Sequence, residues 1–240
     1  MKAIILLAGY ATRMYPLTEN QPKALLPLKG KPVIDYIVEQ INKLPEVDTI
    51  YAVTNSKFYS HFTMWANTAP TTIPIEVLDD GTTSNENRRG AIGDIFFAIQ
   101  EKNIDDELFV VAGDNYFTYD LREQYGVFRK TGCDTIAGKE LNDIEKLKAF
   151  AVAKLDVYGK VVELVEKPAV PESNIAIYAI YFYRRETVPM FCTYLGEGNN
   201  PDHPGSFPQW LHRIQDMYNY TMNGDCYDIG TIEMYEDMNG

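Results

Sequence analysis

The run Ala3 to Ala8 (AIILLA) constrains this chain more than any other stretch. It is six consecutive apolar residues stopped by Gly9. A strand with one wet face alternates in polarity. A run without alternation is buried on both faces, as at the centre of a parallel sheet. It is too short for a signal-peptide core or a membrane span, and no cleavage-like site follows it. A second run, Glu107 to Ala112 (ELFVVA), stops at Gly113-Asp114-Asn115. Between the two, Pro32 opens a helix to about Leu44, with Val33, Ile34, Ile37, Val38 and Ile41 at helical spacing. Thr49 to Thr54 and Ile75 to Leu78 read as strands. Gly90 to Lys102 reads as a helix with Ile92, Ile95, Phe96 and Ile99 on one face. Gly9 to Lys31, with Pro16, Pro22 and Pro27, reads as irregular loop.

Strands alternating with helices predict an α/β chain with a doubly wound, mainly parallel, Rossmann-like sheet. The second half is richer in strands: Phe150 to Asp156, Lys160 to Glu166, Ile175 to Tyr183 and a short Cys226 to Ile229. Pro208 to Tyr218 reads as a helix with Trp210, Leu211, Ile214 and Met217 inward, and Thr231 to Met238 as a terminal helix. A length of 240 residues suits one domain carrying a strand-rich lobe, and no internal repeat or linker divides it. Ligands of such sheets sit beyond the carboxyl ends of the strands. Gly9 and Gly113-Asp114 fall there.

Charge narrows the partners. The net charge of −12 argues against nucleic acid and anionic membrane. A phosphorylated ligand would need local Lys and Arg, with a divalent cation, to offset that field. The three cysteines, Cys133, Cys192 and Cys226, show no metal spacing, which reads as reduced thiols of a cytoplasmic protein. His61, His203 and His212 match no motif and read as solvated or structural.

The chemistry lies in the punctuation. Gly9 lets the backbone turn close to a ligand, and exposed amides in Gly9-Tyr10-Ala11-Thr12-Arg13 suit phosphate oxygens. Arg13 and Lys23 add positive charge. Neither a Walker A sequence nor G-x-G-x-x-G is present, so ordinary kinase and dinucleotide-binding readings lose support. Asp114 and Asp228 each end a strand. Two such carboxylates, with phosphate oxygens and waters, can hold Mg²⁺, although an isolated Asp there is more often a turn residue. The polar segment Asp79 to Gly93 leads to a helix start at Gly90. Arg88 and Arg89 face either phosphate or water.

LLAGYATRMYPLTENQPKALLPLKGKP resembles the opening signature of the sugar-1-phosphate nucleotidyltransferases. Gly113-Asp114-Asn115-Tyr116-Phe117, Glu166-Lys167-Pro168 and Tyr227-Asp228-Ile229-Gly230-Thr231 are similar to that family's later segments. Ser173-Asn174 to Tyr181-Phe182-Tyr183 is similar to a strand of the glucose-1-phosphate thymidylyltransferases. The resemblance implies a GT-A-like nucleotidyltransferase fold, with residues 1–120 mainly for the nucleotide and 121–240 mainly for the acceptor. It implies Mg²⁺-dependent transfer of a nucleoside monophosphate from an NTP to a sugar 1-phosphate, with pyrophosphate released.

The resemblance assigns Arg13, Lys23 and Lys167 to catalysis. It places Ala8, Gly9, Tyr10, Ala11, Thr12, Arg13, Lys23, Gly90 and Asp114 at the nucleotide, and Asn115, Ala151, Glu166, Lys167 and Tyr181 at the acceptor. Asp114 and Asp228 become the metal ligands. Ala11, Ala151 and Ala179 stand where the family usually has Gly. At Ala11 a methyl group is accommodated if φ stays negative. The alternatives are a cytidylyltransferase acting on phosphocholine and a silent nucleotide-binding regulatory module. A GT-A glycosyltransferase would show Asp-x-Asp, which Asp114-Asn115-Tyr116 lacks. Family members are often oligomers, which leaves a homo-oligomer open.

Overall fold

A computed structural model describes residues 1–239. The apolar run forms β1 (Lys2–Leu6), followed by a small hairpin, β2 (Pro27–Leu28) and β3 (Lys31–Pro32). Then come α1 (Val33–Ile41), β4 (Thr49–Thr54), α2 (Tyr59–Ala66), β5 (Ile75–Asp79), α3 (Ala91–Glu101) and β6 (Leu108–Ala112). β7 (Asn115–Phe117), α4 (Leu121–Thr131), β8 (Asp134–Glu140) and α5 (Ile144–Leu147) lead into the second half. That half holds β9 (Ala151–Leu155), β10 (Val161–Glu166), β11 (Ile175–Tyr183), α6 (Met190–Gly196), α7 (Ser206–Leu211), β12 (Met217–Thr221), β13 (Cys226–Asp228) and α8 (Ile232–Asn239).

The order β6-β1-β4-β5 is parallel throughout, with β1 in register between β4 and β6. Ile4 and Ile5 are 0% exposed, as a strand without a wet face must be. Helices cover both faces. α1, α2 and α4 bring Ile34, Ile37, Phe62 and Phe128 to one core. α3, α6 and α7 bring Ile92, Ile95, Phe191 and Phe207 to the other. No helix among the described residues is long and apolar enough to cross a membrane.

β11 holds the two halves together. β8 lies along one edge of it. On the other edge its first part, Ile175 to Ile177, pairs with β9, and its last part, Ile180 to Tyr183, pairs with β6, all antiparallel. A bulge between Tyr178 and Tyr181 separates the two parts. β9 and β6 therefore follow one another along the same edge. Ala151 pairs with Ile177 and Val111 with Ile180, so β9 starts three residues, roughly 10 Å, beyond Val111. β10 runs beside β9 and ends with Glu166 opposite Ala151. A gap therefore opens between the carboxyl ends of β1 and β6 on one side and Ala151 with Glu166 on the other.

The helix expected over Pro208 to Tyr218 is shorter. It ends at Leu211, and Met217–Thr221 is a strand parallel to β8. Ile214, expected inward, is 53% exposed, and Met217 is buried through the sheet instead. The β-prone Tyr-Asn-Tyr-Thr sequence finds an open strand edge on β8, and that pairing overrides the helical spacing. What seats α7 is aromatic: Phe207 stacks on Phe191 at 3.8 Å and meets Tyr183, Tyr194 and Trp210. Phe207→Ala should cost about 3–5 kcal/mol of stability. Urea denaturation measures it, and a loss below about 1 kcal/mol would contradict this packing.

Candidate active site

β1 ends by handing Leu7 to β4, whose Val53 carbonyl accepts from the Leu7 amide at 2.8 Å. The chain then leaves the sheet. The Ala8 carbonyl is tied down by the buried Asn55 side-chain amide at 2.8 Å. A Cβ on Gly9 would meet no protein atom within 4 Å, so the loop stands open towards solvent. Tyr10 turns inward, 5% exposed, its hydroxyl 3.5 Å from that of Thr82. Ala11 then adopts φ 49°, and its carbonyl accepts from the Met14 amide and the Thr18 hydroxyl. The expected negative φ is not what the loop uses. The left-handed turn starts the 3₁₀ segment Thr12–Met14 that carries exposed Arg13, and the methyl group is tolerated at a cost in strain.

Gly113 follows β6. Its amide bonds the Leu6 carbonyl at 2.9 Å, and a Cβ there would lie 3.0 Å from that oxygen and closer still to Leu7. The glycine lets β6 end flush against β1, which sets Asp114 beside the Gly9 loop. β13 brings Asp228 to the same place. It pairs antiparallel with β7, Asp228 opposite Asn115, and the Ile229 amide reaches the Asp114 carbonyl at 3.2 Å. Lys23, at the start of a 3₁₀ turn after Pro22, forms an ion pair with Asp114. The Arg13 guanidinium lies alongside Gly230, and Arg13 has no ion pair among the described residues.

The two carboxylates perturb one another. Asp114's charge, and then burial, push the Asp228 carboxyl up, while Lys23 and Arg13 oppose the rise. Burial would raise Asp114 as well, but Lys23 outweighs it and holds that carboxyl below its ordinary value. The pair is short of positive charge, which is the condition a hard cation relieves. No group of three or more His, Cys, Asp or Glu side chains clusters among the described residues. Two carboxylates still fit Mg²⁺, which keeps waters and phosphate oxygens for its remaining positions.

Across the gap stand Glu166 and Lys167. Glu166 donates its amide to Gln209 of α7 at 2.6 Å, and burial raises its carboxyl above the usual range. Lys167 has φ 46°, with its amide on the Phe150 carbonyl at 3.1 Å. Four non-glycine residues have positive φ among the described residues, and two of them, Ala11 and Lys167, lie in this site. Such concentration of backbone strain is characteristic of functional loops. Asn115 is 2% exposed and donates to the Ala179 carbonyl at 3.2 Å, at the β11 bulge between the two sides. Ala151, 3% exposed, begins β9. Tyr181 lies in the apolar core at 1% exposure, beyond the bulge.

The polar segment before α3 differs most from expectation. Gly90 does permit close approach, with φ 81°, but what approaches is the chain itself: a Cβ there would lie 2.5 Å from both the Asp202 Cα and the Pro201 carbonyl oxygen. The amides of Ala91 and Ile92 bond the carbonyls of Asp202 and Pro201 at 3.2 and 2.9 Å. Arg88 grips Asp202 through two 2.8 Å bonds. Arg89 donates to the Asp80 carbonyl at 2.7 Å and lies over Phe97. Neither arginine is left waiting for phosphate. The segment between α6 and α7 is the part of the site that sequence reasoning missed. Its Gly205 lies against Glu166 and Ala151, and its His203 Nδ1 is 3.3 Å from the Lys167 ammonium. No spacing in the sequence signals either contact.

Residues 2–240 match the family model described as Nucleotidyl transferase. Among curated proteins, the chain is 31% identical over 190 residues to a putative mannose-1-phosphate guanyltransferase of Sulfolobus acidocaldarius, covering 78% of this chain and 49% of that protein. It is 33% identical over 186 residues to the bifunctional protein GlmU of Methanocaldococcus jannaschii, covering 78% and 40%. The chain thus spans half or less of the length of these relatives. Among solved structures, a UDP-glucose pyrophosphorylase complexed with UDP-glucose superposes with a TM-score of 0.83 at 20% identity, covering 99% of this chain and 96% of that one. A putative glucose-1-phosphate thymidylyltransferase from Bacillus anthracis gives 0.80 at 22%, covering 100% and 94%.

The strain at Ala11 is testable. Ala11→Gly removes the left-handed penalty and returns some unfolded-state entropy, for a net gain of about 0.5–1 kcal/mol. Thermal denaturation of the two proteins measures it. A destabilised variant would mean that the methyl group contributes packing the backbone angle does not reveal.

Proposed function

Since the chain belongs to the nucleotidyl transferase family, we propose that it transfers a nucleoside monophosphate from an NTP to a sugar 1-phosphate, releasing pyrophosphate. The observation that carries this reading is the gap flanking β11. Two carboxylates and a lysine stand at the carboxyl ends of β1 and β6, and the half-buried Glu166 with Lys167 faces them from the end of β10, beside Ala151 of β9. One side suits a polyphosphate, the other a small phosphorylated acceptor bearing hydroxyls.

In this reading the reaction is an in-line displacement at the α-phosphorus. A phosphate oxygen of the acceptor forms the new P–O bond as the bond to the leaving pyrophosphate breaks. The acceptor phosphate is already a nucleophile, so position and charge neutralisation are the protein's task. The open amides of Ala8 to Thr12 and the free Arg13 guanidinium bind the NTP phosphates. Arg13 offsets charge on the departing pyrophosphate. Lys23 exchanges part of its contact with Asp114 for the nucleotide. Asp114 and Asp228 would hold Mg²⁺, and the cation would supply charge neutralisation at the phosphates. Lys167 aims the acceptor phosphate. Glu166, half-buried, accepts from a sugar hydroxyl, with Asn115 and Ala151 shaping the floor. Tyr181 acts from behind that floor, through packing.

A pyrophosphate-release assay with Mg²⁺, crossing the five common NTPs with sugar 1-phosphates and phosphocholine, should show release for one NTP with one sugar 1-phosphate. Release with phosphocholine alone would overturn the sugar assignment. Silence with every pair, from protein that binds nucleotide, would favour a regulatory module. Lys167→Ala should lower kcat/KM about 10²–10³-fold, and full turnover would remove Lys167 from the mechanism.

The raised Asp228 carboxyl has a further consequence. A proton retained there competes with the cation, so Mg²⁺ affinity should be weaker at about pH 5 than at about pH 8. Calorimetric titration at the two pH values tests this, and equal affinities would exclude Asp228 as a ligand.

A further inference from the structure

The segment from Asn199 to Gly205 touches both sides of the gap. Towards the nucleotide side, Arg88 holds Asp202, and the first amides of α3 hold the carbonyls of Pro201 and Asp202. Towards the acceptor side, Gly205 has no side chain because the Glu166 carboxylate and the Ala151 methyl group fill that space. Internal bonds brace it. Tyr194 donates its hydroxyl to the Asn200 carbonyl at 2.7 Å, and the Ser206 amide reaches the His203 carbonyl at 3.0 Å. On this segment, fixed at both ends, the His203 Nδ1 lies 3.3 Å from the Lys167 ammonium.

We propose that His203 is a positioning and phosphate-binding residue of the acceptor seat, holding Lys167 through Nδ1 and offering Nε2–H to the acceptor phosphate. The chemistry follows from the pair. An ammonium only donates, so the nitrogen facing it must be the unprotonated one, and the proton of the neutral ring sits on Nε2. Burial, and then the adjacent Lys167, favour that neutral form and outweigh the Asp202 carboxylate, which lies farther off at 3.9 Å from Nδ1 and opposes the shift. The Nε2 atom makes no hydrogen bond among the described residues, and the side chain is 35% exposed, so a ligand can reach it. Lys167 is a point charge on a flexible stem. The histidine gives it a fixed direction and adds a second donor beside it. The Arg88–Asp202 clamp fixes the segment from which His203 acts. The proposal rests on reading Lys167 as the acceptor lysine.

Two measurements on the full chain test it. In steady-state kinetics, His203→Ala should raise the acceptor KM about tenfold, the scale of a lost hydrogen bond to a charged group, with the NTP KM within about twofold. His203→Asn, whose side chain supplies one acceptor and one donor, should recover most of the loss. An unchanged acceptor KM in His203→Ala, or equal rises in both KM values, would overturn the proposal. The second measurement needs no turnover. The imidazole ¹⁵N resonances, assigned to His61, His203 or His212 by single variants, are followed while inorganic phosphate is added. The Nε2 signal of His203 should move in the wild type and stay fixed in Lys167→Ala. No movement in the wild type, or the same movement without Lys167, would overturn it. A wild type that releases no pyrophosphate with any substrate pair would refute the transfer reaction, while the phosphate titration would still judge His203.

Discussion

Two carboxylates that repel one another, held together at the carboxyl edge of the sheet, are the constraint on which this molecule turns. Asp114 and Asp228 come from segments far apart in sequence, and the β7–β13 pairing forces them side by side. Left alone, such a pair in a partly buried place would be costly. Lys23 reduces that cost from one side and Arg13 from the other. Much of the nearby architecture serves this arrangement. β1 must be buried on both faces so that β6 can end beside it, and Gly113 must lack a side chain so that the end is flush. The two 3₁₀ turns of the first loop carry Arg13 and Lys23 back to this point.

β11 gives the second constraint. A strand that pairs with β6 along part of one edge and β9 along the rest cannot close the space where one partner stops and the other starts. The bulge between Tyr178 and Tyr181 lies at that point, and Asn115 spans to it through the Ala179 carbonyl. The gap is therefore a consequence of strand register, not of a mobile loop. This explains why two of the residues that the proposed function gives to the acceptor come from strand ends: Ala151 starts β9, and Glu166 ends β10. Side chains on sheet ends are positioned more rigidly than loop residues.

How much of this could be read from the sequence depends on whether the signal was local. Ile4, Ile5, Val110 and Val111 announced the central strands because burial on both faces removes alternation. Thr49–Thr54 and Ile75–Asp79 were legible for related reasons, and Asp114 with Asp228 stood out as punctuation at strand ends. α4 had a signal that hydrophobic runs overshadowed: Asp120 caps its start and Gly132, at φ 63°, its end, with Leu121, Tyr125 and Phe128 on the inner face. The helical spacing from Pro208 runs on into the first two residues of β12, Met217 and Tyr218, because the pairing of that strand with β8 is invisible locally. The Asn199 to Gly205 segment was illegible for the same reason. Its importance comes from Arg88, Gly90, Glu166 and Lys167, all distant in sequence, and only the folded chain places them on it.

The three alanines that replace glycines of the resembling family acquire distinct meanings once their surroundings are known. At Ala11 the substitution keeps a left-handed turn that glycine would adopt freely, so its cost is conformational. At Ala151 the methyl group points at Gly205, and the missing side chain at 205 leaves room for it. The cost there is passed to the facing segment, which accepts no larger residue. Ala179 uses its carbonyl, which any residue could supply, to hold Asn115 at the bulge. Of the three, Ala151 is the one whose methyl group packs against a facing segment, at Gly205. The same contact seats the segment that carries His203. Under the proposed function, acceptor preference should therefore be sought in the fit between β9 and the Asn199 to Gly205 segment, more than in the Gly9 to Arg13 loop, whose altered residue affects how the turn is held.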